Sequence, residues 1–385
     1  MTLHRRRFVF LYLTITILLL LEAGHASAQF FKRSVNWMVY HSLADTVSPG
    51  RPSFRIYPTL AYAPETSLEI GFSTLFLFQA KEDSTNRLSE INAFTFATLE
   101  SQYGIWLDNA LYGHRDNWFI LGRTRFQKFP LLYFGLGPDA PEEHPAIIDA
   151  NYFIFRQRVL RKIGPNIFLG PEVDYQNLYR TTFATHANQP NIEIPPGTGG
   201  SANLGLGTAL VYDNRHNVLN VRKGFFGEVG FLRYSNRLGS ALDFTGINID
   251  ARYYKPVRKN NVLALQFIAN FYTGEVPFNQ MALMGGEVMM RGYYYGRYRD
   301  KNMLAAQAEY RWLPFGFSKR IGAAVFGGTA AVAPTLGSFQ ADHFRLAGGA
   351  GIRYLLFPKK DIFIRLDVGA TKDGFGFYFF TGEAF

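Results

Sequence analysis

The sequence predicts an all-β chain folded as a transmembrane antiparallel β-barrel of about 16 strands, an even number of the kind bacterial barrels use. Three observations carry that expectation. An export leader is followed by no second apolar run of spanning length. The composition is rich in aromatics, 16% of the chain with 37 Phe and 22 Tyr, and in Gly, also 37. The remainder reads as segments of about ten residues that alternate in polarity between turns.

The leader comes first. Arg5, Arg6 and Arg7 precede an apolar run from Phe8 to Leu21, and Ala26, Ser27 and Ala28 form an A-x-A site. This is the pattern of a cleavable signal peptide spanning residues 1–28, with cleavage expected before Gln29. The apolar run falls short of the roughly 20 residues a spanning helix needs. A mature chain integral to a membrane must then cross as a closed barrel, because only helices and closed barrels satisfy every backbone group in lipid. Aromatic girdles at both interfaces and glycines at bends account for the composition.

Cysteine is absent, which excludes disulfides, thiolate metal sites and a Cys nucleophile. The formal charge is +10, an excess suited to anionic lipid head groups. No Lys/Arg run resembles a nucleic-acid patch, so no nucleic-acid partner is expected. Residues 29–53 are too few to fold alone and read as a short periplasmic segment. The barrel is expected over 54–385.

Within it the strands fall at roughly 54–62, 68–79, 90–101, 105–112, 117–127, 151–163, 167–179, 200–212, 222–234, 242–255, 261–273, 303–313, 321–331, 343–356, 361–371 and 375–385. The alternation is clear in Asp361 to Thr371, where Ile362, Ile364, Leu366, Val368 and Ala370 share one face and Asp361, Phe363, Arg365, Asp367 and Thr371 the other. Long connections (128–150, 180–199, 274–302, 332–342) all follow odd-numbered strands, and the connections after even strands are mostly short. Outer-membrane barrels put short turns in the periplasm and long loops outside, so both chain ends are expected in the periplasm. Inward positions include Glu172, Asp174, Asp243, Asp250, Arg252, Glu309, Arg311, Arg345, Arg353, Arg365 and Asp367. Their mixed signs suggest paired charges, not a ring of one sign that selects ions.

The loop 274–302 carries the most unusual local sequence: Gly285-Gly286-Glu287, then Met290-Arg291-Gly292-Tyr293. Gly permits a close bend, and Arg offers a planar fork to a carboxylate. With this tripeptide between the eleventh and twelfth strands, the chain resembles the bacterial surface antigen family, the BamA/TamA-type barrels. Three more stretches match. Tyr62-Ala63-Pro64-Glu65-Thr66 is similar to the family's first hairpin. Asp213-Asn214-Arg215 with Gly224-Phe225 is similar to its periplasmic turn between strands eight and nine. Gly376 to Phe385 is similar to its last strand, ending on a terminal Phe.

Two departures stand out. The thirteenth strand reads Phe326-Gly327-Gly328-Thr329, without the acid that usually receives the loop arginine, and Val221 replaces a usual Pro. The expected acceptors for Arg291 are therefore Glu309 first and Asp367 second. The 25 residues ahead of the barrel are also too few for a POTRA domain.

The resemblance implies an outer-membrane location and a role in inserting or translocating proteins or other envelope components. It implies contact with outer-membrane lipid, including lipopolysaccharide, with a periplasmic or lipoprotein partner and with client outer-membrane proteins. The alternatives are a passive pore and a barrel enzyme such as a lipid hydrolase. No His lies in a G-x-S-x-G or H-E-x-x-H context, so no catalytic, cofactor or metal residue is nominated and no enzyme activity is expected. The closing seam draws attention in its own right. Pro58 sits within the first strand and cannot donate to a ladder, and Gly376 and Gly382 weaken the last. Closure there is either merely irregular or a lateral seam that opens.

Overall fold

A computed structural model describes residues 52–83, 85–185, 192–215, 220–358 and 361–385. The signal-peptide residues and all but the end of the expected periplasmic segment lie outside them.

Sixteen long strands form the wall: β1 (Ser53–Ala63), β2 (Ser67–Gln79), β3 (Leu88–Thr98), β4 (Tyr103–Tyr112), β5 (Trp118–Lys128), β6 (Ala146–Gly164), β7 (Ile167–Ala184), β8 (Ser201–Asp213), β9 (Gly224–Tyr234), β10 (Phe244–Arg258), β11 (Asn261–Gly274), β12 (Asn302–Trp312), β13 (Ile321–Ala333), β14 (Arg345–Phe357), β15 (Ile362–Thr371) and β16 (Gly374–Thr381). Each pairs antiparallel with its sequence neighbour, and β16 returns to β1. Short strands lie in the loops, Leu131–Tyr133 against the start of β6 and Ala282–Met284 against Tyr298–Asp300.

The alternating pattern settles which face is apolar. Phe54, Ile56, Leu60 and Tyr62 of β1 are exposed, whereas Ala61 and Ala63 are buried. Ile105, Ile352 and Leu346 are likewise exposed, and the buried face holds Glu172, Asp174, Glu309, Arg311, Arg353, Arg365 and Asp367. Apolar side chains outside and paired charges inside define a barrel whose solvent is lipid; a sandwich would reverse the faces.

The four longest connections share one edge as the chain alternates direction. At the edge holding both termini the connections are 80–87, 113–117, 165–166, 214–223, 259–260, 313–320 and 358–361. At the opposite edge lie the long 129–145, 185–200, 275–301 and 334–344, with 235–243 and the tight turns 64–66, 99–102 and 372–373. The short edge is therefore periplasmic and the long one extracellular.

Three expectations need correcting. The sixth and seventh strands reach further out than the sequence suggested, to Ala146 and Ala184, because they continue as a paired ribbon beyond the wall. Asp243 is not inward: it ends an extracellular connection and pairs with Arg233 at 3.1 Å. The last strand stops at Thr381, where Gly382 takes a φ of +90° and turns the tail into the lumen. There Glu383 meets Arg353 at 2.9 Å, and Arg311 donates to the Phe385 carbonyl at 3.0 Å.

Candidate functional site: the loop tip and the seam it spans

The loop 275–301 does not stand out in solvent. It folds back into the barrel, and Met284, Met289, Met290, Tyr293 and Tyr298 are buried with Met303, Ala305, Ala330 and Val332 of the wall. The apolar half of the loop supplies the burial that holds it there. Arg291 is 1% exposed, and a guanidinium so buried must be compensated. Its NH1 donates to Asp367 Oδ2 of β15 at 2.5 Å, and its NH2 to Glu309 of β12. Glu309 also accepts from Arg311 and from Arg353, each at 3.0 Å, and Asp367 from Arg353 at 2.5 Å and Arg365 at 2.9 Å. Four guanidiniums thus share the carboxylates of Glu309, Asp367 and Glu383.

The thirteenth strand contributes a ring in place of an acid. Phe326 lies under Arg291, with the guanidinium carbon 3.5 Å from the ring centroid. The face of an aromatic quadrupole attracts a desolvated cation, so the position stays favourable to Arg without a carboxylate.

Gly292 explains why the tip is glycine. It has a φ of +113°, and a Cβ there would stand 2.6 Å from Thr371 Cγ2, so the loop backbone lies directly on the β15 wall. Its N–H donates to Tyr378 Oη of β16 at 2.8 Å. Three residues on, the Tyr295 N–H donates to Glu65 Oε1, in the turn between β1 and β2, at 2.6 Å. The loop therefore holds one strand of the seam with Gly292 and the hairpin on the other side with Tyr295. Glu65 is buried and has Glu287 nearby. Burial, reinforced by that second carboxylate, pushes its carboxyl up to about 7. Nothing in the sequence joined Glu65 or Tyr378 to the arginine tip.

The seam itself is slight. Among the described residues β1 and β16 share a single register pair, Tyr62 with Phe379. Continuing that register would oppose Thr59 to Gly382 and Ile56 to Phe385, but those tail residues have turned into the lumen. Below Tyr62, β1 and β16 share no further register pair among the described residues. Pro58 lies in this stretch, although β1 pairs with β2 along its whole length, Pro58 opposite Phe72. Gly376 is in register with Gly369 on the β15 side.

The turn between β8 and β9 is a separate assembly. Arg215 grips Asp213 with two bonds of 3.0 and 2.9 Å, and its guanidinium lies 4.4 Å from the Phe226 ring centroid. Tyr112 adds a hydroxyl bond to Asp213 at 3.2 Å. At Gly224 a Cβ would meet Arg215 Cα at 2.8 Å, so only glycine closes the turn this tightly. The turn lies at the periplasmic edge, with Val221 packed against Tyr254, Val262 and Phe385. It does not touch the loop tip.

A closed sixteen-strand barrel with an arginine-tipped loop tucked inside and a barely bonded seam defines an outer-membrane protein of the assembly and translocation class. The Omp85 superfamily domain matches residues 145–385, and the chain belongs to that superfamily. No curated protein matches it by sequence. Among solved structures, BamA from Haemophilus ducreyi lacking POTRA domains 1–3 is similar with a TM-score of 0.55 and 14% identity, over 86% of this chain and 70% of that one. CdiB from Acinetobacter baumannii gives 0.53 and 11%, over 86% and 65%, and CdiB from Escherichia coli gives 0.56 and 8%, over 88% and 63%. At such identities the likeness is one of fold.

Proposed function

We propose that the barrel inserts or translocates polypeptide at the β1–β16 seam, where a client strand enters the wall. The observation that supports this reading is the single register pair between β1 and β16 among the described residues, against full ladders on their other sides. A junction held by so short a ladder opens at less cost than its neighbours, since each ladder bond is worth about 0.5–1.5 kcal/mol net. The loop would act as an inner clasp, with Arg291 as its anchor and Glu65 and Tyr378 as its two handles. A signal peptide ending at Ala28 would deliver the chain. A periplasmic or lipoprotein partner would bring the client, itself an outer-membrane protein, and lipopolysaccharide would contact the outer loops.

The test is reconstitution in lipid vesicles with an unfolded outer-membrane barrel as client. The client should acquire protease resistance faster than in protein-free vesicles, and closing the seam should remove the gain. A passive pore is the second reading. Its support is water access within the lumen: Arg123 is exposed on the inner face of β5, and Asp108 of β4 keeps 45% of its side chain exposed. Steady conductance in planar bilayers, unchanged when the seam is locked, would favour the pore.

A further inference from the structure

The two edges of the barrel carry opposite charge. Among the described residues, the connections at the periplasmic edge hold nine Lys and Arg against four Asp and Glu, and those at the extracellular edge hold six against twelve. Two of the four periplasmic-edge acids are already engaged, Asp116 with Arg87 at 3.3 Å and Asp361 with Arg222 at 2.6 Å. The imbalance is sharpest at two neighbouring turns, 259–260 and 313–320, which contain no acid at all. They are tied together: the Leu313 N–H donates to the Asn260 carbonyl at 2.8 Å, and Asn260 Nδ2 to the Pro314 carbonyl at 3.2 Å. Lys255, Arg258, Lys259, Lys319 and Arg320 are exposed on or beside them.

These cations do not stand alone in water. Tyr310, Trp312, Phe315 and Phe317 form a ladder with centroid separations of 4.8, 6.1 and 5.0 Å, and Phe317 is 87% exposed. Arg320 lies 5.9 Å from the ring centroid of outward-facing Tyr354. Lys255 follows exposed Tyr253 on the outer face, with buried Tyr254 between them. Aromatic residues on the outside of a barrel mark the level of the lipid head groups. Lys255 and Arg320 therefore stand on the outer wall at head-group height, with Arg258, Lys259 and Lys319 exposed in and beside the same turns, and Phe317 beside them calls for an apolar neighbour.

We propose that this patch binds the phosphates of anionic glycerophospholipids in the periplasmic leaflet. The ladder takes the acyl boundary, and the five side chains take the head groups. The extracellular edge carries an excess of acids among the described residues, so lipid preference is one-sided. The proposal rests on the orientation set by the short turns and holds whatever passes the seam.

The test uses the full chain in vesicles, with Trp37, Trp106 and Trp118 replaced by Phe so that Trp312 reports on the patch alone. Brominated phosphatidylglycerol should quench Trp312 about fivefold more effectively than the same fraction of brominated phosphatidylcholine. The preference should collapse at about 0.5 M NaCl, where charge is screened within a few ångströms. The combined variant K255Q, R258Q, K259Q, K319Q and R320Q should quench equally with both lipids, and R258K with R320K should keep the preference. Removing cations elsewhere on the same edge, K81Q with R115Q, should leave it intact. Equal quenching in the unmodified patch would overturn the proposal, including the case in which only an acidic protein binds there. A preference surviving in the five-Gln chain would also overturn it.

Discussion

Strand β1 has two edges of very different strength. Along one it pairs with β2 at every position from Ser53 to Ala63; along the other it meets β16 once, at Tyr62. The residues are the same, so strand propensity does not explain the difference. Pro58 is accommodated in the strong pairing, and β16 is itself fully paired with β15 from Gly374 to Thr381. What weakens the seam is the partner's length: β16 ends at Thr381 and the tail turns inward, so the described ladder between them is one register pair long. The loop tip then bridges from inside what the ladder leaves open.

The largest effect should come from making the two edges alike. Tyr62 and Phe379 are directly opposite, a spacing that suits a disulfide. With both replaced by Cys and oxidised, client insertion should fall to the protein-free rate while the barrel keeps its heat-modifiable mobility on gels, and reduction should restore it. Full insertion by the locked form would sink the seam reading.

Next comes the anchor. Arg291→Ala removes one of the four guanidiniums, while Arg311, Arg353 and Arg365 still hold Glu309 and Asp367, and should cost about 1.5–3 kcal/mol, the usual loss of a hydrogen bond to a charged group. The loop should then become a protease target in the folded barrel; resistance equal to the parent would show that the clasp does not depend on the pair.

Then pH. The Glu65 carboxyl sits at about 7 in the folded chain against an ordinary 4.5, so the folded state favours the proton. The stabilisation is full below about pH 4.5 and is lost as pH rises through 7, with an upper limit on the order of 3 kcal/mol. Proteolysis of the loop should therefore increase between pH 5 and 8, and Glu65→Gln should flatten the profile. A profile as steep in the Gln variant would move the effect to another group.

Smallest is Phe326→Leu, which removes the ring beneath Arg291 and should cost about 1–2 kcal/mol in thermal stability without changing insertion. A loss as large as that of Arg291→Ala would mean that the ring, not the carboxylates, holds the tip.

Much of the wall was legible because period two is a local property: Ile362 to Ala370 alternate in sequence as they do around the barrel. The arginine tip was legible from its place between the eleventh and twelfth strands. Its two carboxylates could be nominated by inward parity, but sharing them among Arg291, Arg311, Arg353 and Arg365 depends on cross-strand register, which no single segment encodes. The role of Phe326 was hidden because a missing acid looks like a loss until the ring is placed under the guanidinium. The tail was misread for a related reason. Phe377 to Phe385 is rich in aromatics, as a girdle strand would be, and only Gly382 hinted that the chain leaves the sheet. Glu65 gave no signal, since its partner is a backbone N–H far away in the chain.

The inward turn at Gly382 has a mechanical consequence. Phe385 reaches Val221, Tyr254 and Val262, on the turn after β8 and on strands β10 and β11. Arg311 and Arg353 grip the tail on the way. The tail thus ties β16 across the lumen to strands β10 and β11. On the seam reading, a swing of β16 away from β1 pulls on those contacts, so the side of the barrel and the tail packed inside it move together.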